Sequence, residues 1–215
     1  MNRVLVPNAP RIFSADSPDF EKLVGARGWA KLSPAIRRRF SDHNFRVTYK
    51  GDMDVRTSFV GSVFAALLTP FGRPLPFVPK GTYPASVKVS PDHQTGGVIW
   101  RRDFFQPQSK TPIRVESVKQ LAADGGLLEC VRKGPLGGIG MGLRVYEQGG
   151  ALNFASRHYF IAWGALKLPV PTWLTPGKTL VEHIDEGAGN FRFRLSMTHP
   201  LFGLTVHQEG VFEDP

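Results

Sequence analysis

The chain has 215 residues, of which 41% are hydrophobic and 21% charged, a composition typical of a globular protein with a sizeable core. Its single cysteine, Cys130, excludes an internal disulfide and fits a reducing compartment, so we expect a cytoplasmic protein. Prolines interrupt residues 1–18, which argues against a signal peptide, and no apolar run is long enough for a membrane-spanning helix.

The net charge of +9 raises the question of a nucleic-acid or anionic partner. Between Arg27 and Lys50 there are seven basic residues and one acid, Asp42. No RNA-binding signature or zinc-finger spacing accompanies them, which argues against a nucleic-acid role. The cluster Arg37–Arg39 falls at the end of a predicted helix, where cations favour the helix dipole. We therefore interpret the segment as a solvated basic face, expected to be exposed.

The N-terminal part of the chain is expected to be helical after an irregular lead-in at residues 1–16. Ser17-Pro18-Asp19 and Ser33-Pro34 are typical helix starts, each with a capping hydroxyl followed by proline. Residues 59–68 are apolar on nearly every side, which predicts a buried helix that begins after Thr57 or Ser58. Residues 17–215 are predicted to form one α+β domain.

Alternation of apolar and polar residues predicts strands through the rest of the chain. Residues 45–56 alternate over twelve positions, which is typical of a half-buried strand. Further strands are predicted at 83–90, 97–105, 112–122, 126–133, 139–147, 151–163, 178–186, 190–199 and 203–213. Consecutive hairpins without crossover helices predict an antiparallel meander, curled into a barrel or half-barrel of seven to nine strands covered by the N-terminal helices. Prolines make residues 166–177 a predicted loop, long enough to be a lid.

The strand at 97–105 carries the main candidate site. Alternation places Trp100, Arg102 and Phe104 on one face, so a cation lies between two aromatic side chains. We predict that this face is concave and binds a ligand, together with Trp163, Phe191 and Phe193.

Two other residues are candidates for proton transfer beside Arg102. Glu182 lies between Leu180 and Ile184 on what is predicted to be the apolar face of its strand, where a carboxylate needs a cationic partner such as Arg102 or Arg157. His158 is the second candidate. None of the six histidines has a metal-ligand spacing, so no metal site or cofactor is predicted.

Several short segments, in their order and spacing, resemble the bacterial domain-of-unknown-function 4166 family over roughly residues 20–213. The segments are Leu32-Ser33-Pro34 with Arg37-Arg38-Arg39-Phe40, Gly51-Asp52-Met53-Asp54-Val55, Trp100-Arg101-Arg102-Asp103-Phe104, Leu166-Lys167-Leu168-Pro169 and Phe191-Arg192-Phe193.

The resemblance implies a stand-alone form of a domain that is elsewhere appended to Rossmann-type oxidoreductase modules, and hence a possible partner of that type. Its tryptophan–arginine–phenylalanine pattern matches Trp100, Arg102 and Phe104, and it brings no catalytic residues. Gln208 stands where the family pattern implies an aromatic residue.

Three functional hypotheses follow. The first is a binding module that holds an apolar or aromatic small molecule in a cavity between sheet and helices, oriented by Arg102. The second is an isomerase- or cyclase-like enzyme in the same cavity, with catalytic candidates Arg102, Glu182 and His158. The third is an interaction module that uses the basic surface at Arg37–Arg39.

Overall fold

The structure is a computed structural model that describes residues 17–41, 46–76, 78–131, 137–163 and 166–215. The predicted lead-in at residues 1–16 and the start of the first predicted strand, Phe45, lie outside the described residues. No helix in the described ranges is both long and apolar enough to cross a membrane.

Antiparallel strands form most of the molecule. Their bounds are β1 Val47–Thr57, β2 Gly81–Pro91, β3 Val98–Phe104, β4 Ile113–Leu121, β5 Leu127–Val131, β6 Gly138–Gln148, β7 Ala151–Trp163, β8 Leu166–Val170, β9 Lys178–Gly187, β10 Asn190–His199 and β11 Gly203–Glu213. Neighbouring strands pair from β1 through β7. Strand β7 also pairs with β9, β9 with β10, and β10 with β11, which pairs back onto β1. The sheet therefore closes into a ten-stranded barrel, which leaves no open edge in the ring.

The predicted barrel class is confirmed, but the predicted count of seven to nine strands is wrong. The alternating segment at 45–56 enters the ring as β1, between β2 and β11. The segment Leu166–Val170, predicted as a loop, is the short strand β8, which pairs only with β7. Proline is tolerated there because β8 is an edge strand, where a missing N–H breaks no ladder.

Three short helices close one end of the barrel: α1 Phe20–Val24, α2 Ala26–Trp29 and α3 Pro34–Phe40. Ser33 caps α3 as predicted, accepting a hydrogen bond from the N–H of Ile36 at 3.2 Å. Phe40, at the end of α3, packs edge-on against Phe20 and stacks on Trp100. The three helices therefore add buried aromatic side chains to the core at this end of the barrel, and they cover the predicted concave face.

The basic cluster on α3 is only partly exposed, so the predicted solvated face is wrong for one of its members. The side chain of Arg39 is 1% exposed and forms an ion pair with Asp214 at 2.7 Å. Its guanidinium also lies 3.7 Å from the ring centroid of Phe191. Arg38, one residue earlier, is exposed as predicted. Helical periodicity turns Arg39 toward the barrel, where the C-terminal segment supplies its carboxylate.

The fourth helix, α4 Phe59–Leu68, lies at the opposite end of the barrel and packs on β1 and β11. Ser58 caps it as predicted. The prediction that this helix is buried is wrong, because only Gly61 and Ala65 are buried, and Phe59 is 85% exposed. Small residues at positions i and i+4 let α4 lie close against the barrel, while Phe59, Val63 and Leu67 point away from it.

Candidate functional site

A cavity of about 90 Å³ lies inside the barrel, walled by the inward-facing side chains of most of its strands. Toward the α4 end it is lined by Leu68, Pro74, Leu75 and Pro176. Toward the other end, Trp100 and His183 line it, and Phe40 of α3 packs against both. The site therefore lies within the barrel, between its α4 end and the aromatic side chains at the other end.

The strand β3 places the predicted trio on the interior face. Trp100 and Phe104 are buried, and Arg102 lines the cavity between them. Phe191 and Phe193 also line the cavity, from β10. The outward neighbour Arg101 pairs instead with Glu116, at 3.0 Å, on the outside of the barrel. Alternation along one strand thus separates two adjacent arginines into an interior and an exterior environment.

Arg102 is the unsatisfied cation of this chamber. Among the described residues, none accepts a hydrogen bond from its guanidinium, which lies 5.9 Å from the centroid of the Phe193 ring. Burial lowers the pKa of Arg102, and the charge of Glu129 partly offsets that effect. An arginine remains protonated in proteins, so the chamber carries a positive charge without a direct counter-ion.

A second cation in the chamber is paired. Lys119 of β4 lies 3.2 Å from Glu129 of β5, and both side chains are more than nine-tenths buried. Ser117 donates a hydrogen bond of 2.6 Å to the same carboxylate. Burial raises the pKa of Glu129, but Lys119, Ser117 and Arg102 outweigh it and leave that pKa below its ordinary value. Glu129 is therefore ionised, and the three charged groups together leave a net charge of +1 inside the barrel.

His183 of β9 stands in an aromatic cage. Its ring centroid lies 4.9 Å from that of Phe40 and 5.5 Å from that of Phe193, and its Nδ1 has no hydrogen-bond partner among the described residues. Burial, followed by the charges of Arg39 and Lys119, holds the pKa of His183 well below its ordinary value. The imidazole is therefore neutral at physiological pH.

Further polar atoms along the cavity also lack partners. Both side-chain amide atoms of Gln208, on β11, and the indole Nε1 of Trp100 are buried without a hydrogen bond to any described residue. Gln208 is the position where an aromatic residue was implied by the family resemblance. Buried polar groups are almost always satisfied, so these atoms favour a polar occupant, either water or a ligand group.

Four predicted site residues do not line the cavity, and one of them, Phe104, is buried in the core. Trp163 is 66% exposed at the last residue of β7, so the prediction that it lines the concave face is wrong. Glu182 faces outward and lies 3.5 Å from Arg194, because the inward positions of β9 are Thr179, Val181 and His183. The prediction that Glu182 shares the cavity with Arg102 is therefore wrong.

His158 also faces outward, for a different reason. The register of β6 and β7 shifts between Gly142 and Leu143, which leaves Arg157 as an extra residue in β7. Such a bulge reverses the alternation beyond it and turns His158 to the outer face, over Gly142. The two residues predicted to move a proton are thus both outside the barrel.

The sequence analysis missed Ser117, Lys119, Glu129 and His183. Strand alternation could have identified two of them, because Lys119 lies on the same face of its strand as the buried Val115, and Glu129 on the same face as the buried Leu127. His183 occupies the alternate position to Glu182, on the face that proved to be buried. A polar residue in phase with buried apolar residues was therefore the available indication of an interior polar group.

In a comparison with curated proteins, none matches the chain. Among solved structures, the crystal structure of Rv2717c from M. tuberculosis is similar with 10% sequence identity and a TM-score of 0.45, over 86% of this chain and 99% of that one. The family described as Domain of unknown function (DUF4166) matches residues 32–212. The chain therefore belongs to the DUF4166 family.

Proposed function

We propose that this protein is a binding module that holds a small apolar molecule carrying a carboxylate or similar anionic group inside its barrel. The observation that carries the proposal is Arg102, a cavity-facing guanidinium that no described residue accepts a hydrogen bond from. A carboxylate is the natural partner, because its two oxygens match the paired N–H donors of arginine.

The cavity walls support an apolar body for this ligand. Trp100, Val181, Phe193 and Met197 line the chamber. Their surfaces exclude water from the ion pair that we propose and so strengthen it. The apolar walls and one orienting cation match the usual design of small-molecule sites, which are mostly apolar with few polar groups.

The cavity volume sets the size of the occupant. At about 90 Å³, it is smaller than the roughly 150 Å³ cavity that accommodates benzene in an engineered protein core. A short-chain acid such as butanoate, which has six non-hydrogen atoms as benzene does, is at the upper limit of this size class. Larger acids require movement of the side chains that close the chamber toward α4, such as Leu68 and Leu75.

The enzyme hypothesis receives less support. Glu182 and His158, the proton-transfer candidates, lie outside the barrel. Of the titratable groups inside, Glu129 is held ionised by its partners and His183 is held neutral. Binding therefore accounts for the interior with fewer assumptions than turnover.

The test is an NMR titration with sodium butanoate and with butanol, its uncharged counterpart. We expect butanoate to shift the resonances of cavity residues and to bind more tightly than butanol. Arg102→Met removes the guanidinium while keeping an apolar stem, so butanoate affinity should fall roughly 10- to 100-fold. Butanol affinity should hardly change.

Arg101→Met is the matched control, since it removes an arginine from the outer face of the same strand. It should leave butanoate affinity unchanged. Equal losses in the Arg101 and Arg102 variants would show that overall charge, and not the cavity, governs binding. Equal affinities for butanoate and butanol in the unmodified protein would refute an anion-orienting role for Arg102.

A further inference from the structure

The barrel end that carries α4 concentrates the exposed apolar surface of the molecule. Of the thirteen large hydrophobic side chains that are exposed among the described residues, all but Val211 lie at this end. They come from α4, from the segment after β3, from the β7–β8 hairpin and the short helix that follows it, and from the β10–β11 turn. The twelve residues are Phe59, Val63, Leu67, Phe105, Trp163, Leu166, Leu168, Trp173, Leu174, Leu201, Phe202 and Leu204.

Direct contacts join most of these elements into one surface, which we call the apolar end. His199 lies 5.8 Å from Phe64 of α4 and 4.7 Å from Phe202, measured between ring centroids. Its Nε2 is 3.0 Å from the carbonyl oxygen of Trp173. Exposed apolar side chains concentrated at one end of a protein in this way mark an interaction site.

The charges of the apolar end are predominantly positive, and the acids at the strand ends there, Asp54 and Asp103, form ion pairs with Arg56 and Arg114. The sequence of residues 58–80, 105–112, 163–178 and 199–203 contains no Asp or Glu. Exposed basic residues lie in these same segments, at Arg73, Lys80, Lys110 and Lys178. The opposite end differs, because its turns carry acids such as Asp92, Asp124 and Glu186. A partner for the apolar end must therefore combine an apolar layer with negative charge.

We infer that the apolar end docks on the surface of a bilayer that contains anionic lipids. Leucine and phenylalanine side chains insert into the acyl boundary, and tryptophan prefers the interface itself, where Trp163 and Trp173 would lie. Lysine and arginine at the rim then meet the lipid phosphates. An apolar surface with basic rim residues, and with no acid in the segments that form it, complements this partner on both counts, independently of any cavity ligand.

The experiment is co-sedimentation of the full chain with vesicles of phosphatidylcholine alone or with one-third phosphatidylglycerol. We expect binding to the anionic vesicles and a blue shift of tryptophan fluorescence, since Trp163 and Trp173 would leave water. The combined variant Phe59→Gln, Leu67→Gln, Trp173→Gln should lose at least about 10-fold in binding, because each change removes an inserted apolar group. The exposed Val211, remote from this end, provides the control variant Val211→Gln, which should bind normally.

A charge variant tests the second half of the inference. Arg73→Gln with Lys178→Gln should weaken binding to anionic vesicles by roughly 5-fold for each charge removed. The matched pair Arg27→Gln with Arg38→Gln, at the opposite end, should have little effect. Thermal melts of all four variants confirm that they are folded.

Three outcomes would overturn the inference. One is the absence of binding to anionic vesicles by the unmodified protein. Another is binding that the Arg27 and Arg38 variant loses while the apolar variant retains it, which would transfer the contact to the helical end. The third is a dimer in size-exclusion chromatography that only the apolar variant converts to monomer, which would make the apolar end a contact between copies of this chain.

Discussion

The buried pair of Lys119 and Glu129 places opposite charges 3.2 Å apart inside the barrel, beside the unpaired Arg102. Removal of one member leaves the other charge uncompensated in a poorly solvated place. We expect Lys119→Met to lower the free energy of unfolding by about 3–5 kcal/mol, measured by urea denaturation. The double variant Lys119→Met with Glu129→Gln should recover most of this loss, since no ionised partner remains.

A double-mutant cycle on Lys119 and Glu129 tests whether the two charges stabilise one another. If the two single substitutions add in the double variant, Lys119 and Glu129 do not depend on one another and the ion pair contributes nothing. The double variant also keeps the net interior charge at +1, carried by Arg102. Its butanoate affinity should therefore resemble that of the unmodified protein.

His183 should make stability depend on pH. Its pKa in the folded protein lies well below the ordinary value of 6.5, so below pH 6.5 the unfolded chain binds a proton that the folded protein does not. Stability should therefore fall as pH decreases from 7 to 5, by up to about 1.4 kcal/mol per pH unit from this group. His183→Phe preserves an aromatic side chain and should remove this contribution.

The exposed His158 provides the comparison for this pH experiment. Denaturation midpoints of His158→Gln should keep the slope between pH 7 and 5, whereas those of His183→Phe should flatten. A slope that persists unchanged in His183→Phe would assign the pH dependence to other groups.

Interior residues were predictable only where the neighbours at alternate positions along the strand were clearly apolar. Arg102 was identified because tryptophan and phenylalanine flank it at alternate positions. Glu182 was misplaced because Leu180 and Ile184 flank it on the outward face of β9, whereas the inward face, with Thr179 and His183, is the more polar of the two in sequence. His158 was beyond reach, since the bulge at Arg157 that reverses its orientation depends on pairing with β6.

Two neighbouring arginines of helix α3 differ in their burial. Arg39 is buried against Phe191 and paired with Asp214, whereas Arg38 is exposed. Arg39→Gln should destabilise the protein by about 3–5 kcal/mol, because it leaves a partly buried carboxylate without its partner. Arg38→Gln should change the free energy of unfolding by less than about 0.5 kcal/mol, as most surface substitutions do. Similar effects of the two substitutions would contradict the assigned orientation of α3.

The helix α4 depends on a close approach at Gly61. A Cβ atom there would meet the carbonyl oxygen of Thr205 on β11. Glycine to alanine stabilises an isolated helix by roughly 1 kcal/mol, but the collision should outweigh this gain. We therefore expect Gly61→Ala to lower the melting temperature. A higher melting temperature would show that α4 is not held against β11 in this way.

Local signals located elements better than they located their environment. The Ser33 and Ser58 caps were identified because capping is a contact within the first turn of a helix. The exposure of α4 was not predictable, because an apolar sequence predicts a buried helix whether the helix packs in a core or forms part of an exposed interaction surface. The strand β8 escaped prediction because its proline is tolerated only at the edge position that the tertiary pairing with β7 creates.

The whole molecule has two unlike ends joined by the chamber that contains Arg102. Helices α1–α3 close one end with buried aromatic side chains, while α4 and neighbouring turns give the other end an exposed apolar surface. Leu68 and Pro176 of that second end also line the cavity. Docking of the apolar end on a bilayer would thus place this end of the chamber at the membrane surface.

The most direct test of the central proposal is a crystal structure of the protein with butanoate bound. We expect the ligand inside the barrel, its carboxylate oxygens about 2.7–2.9 Å from the guanidinium nitrogens of Arg102 and its carbon chain against the apolar wall. Butanoate bound only on the outer surface, or in the chamber with its carboxylate turned away from Arg102, would contradict the account.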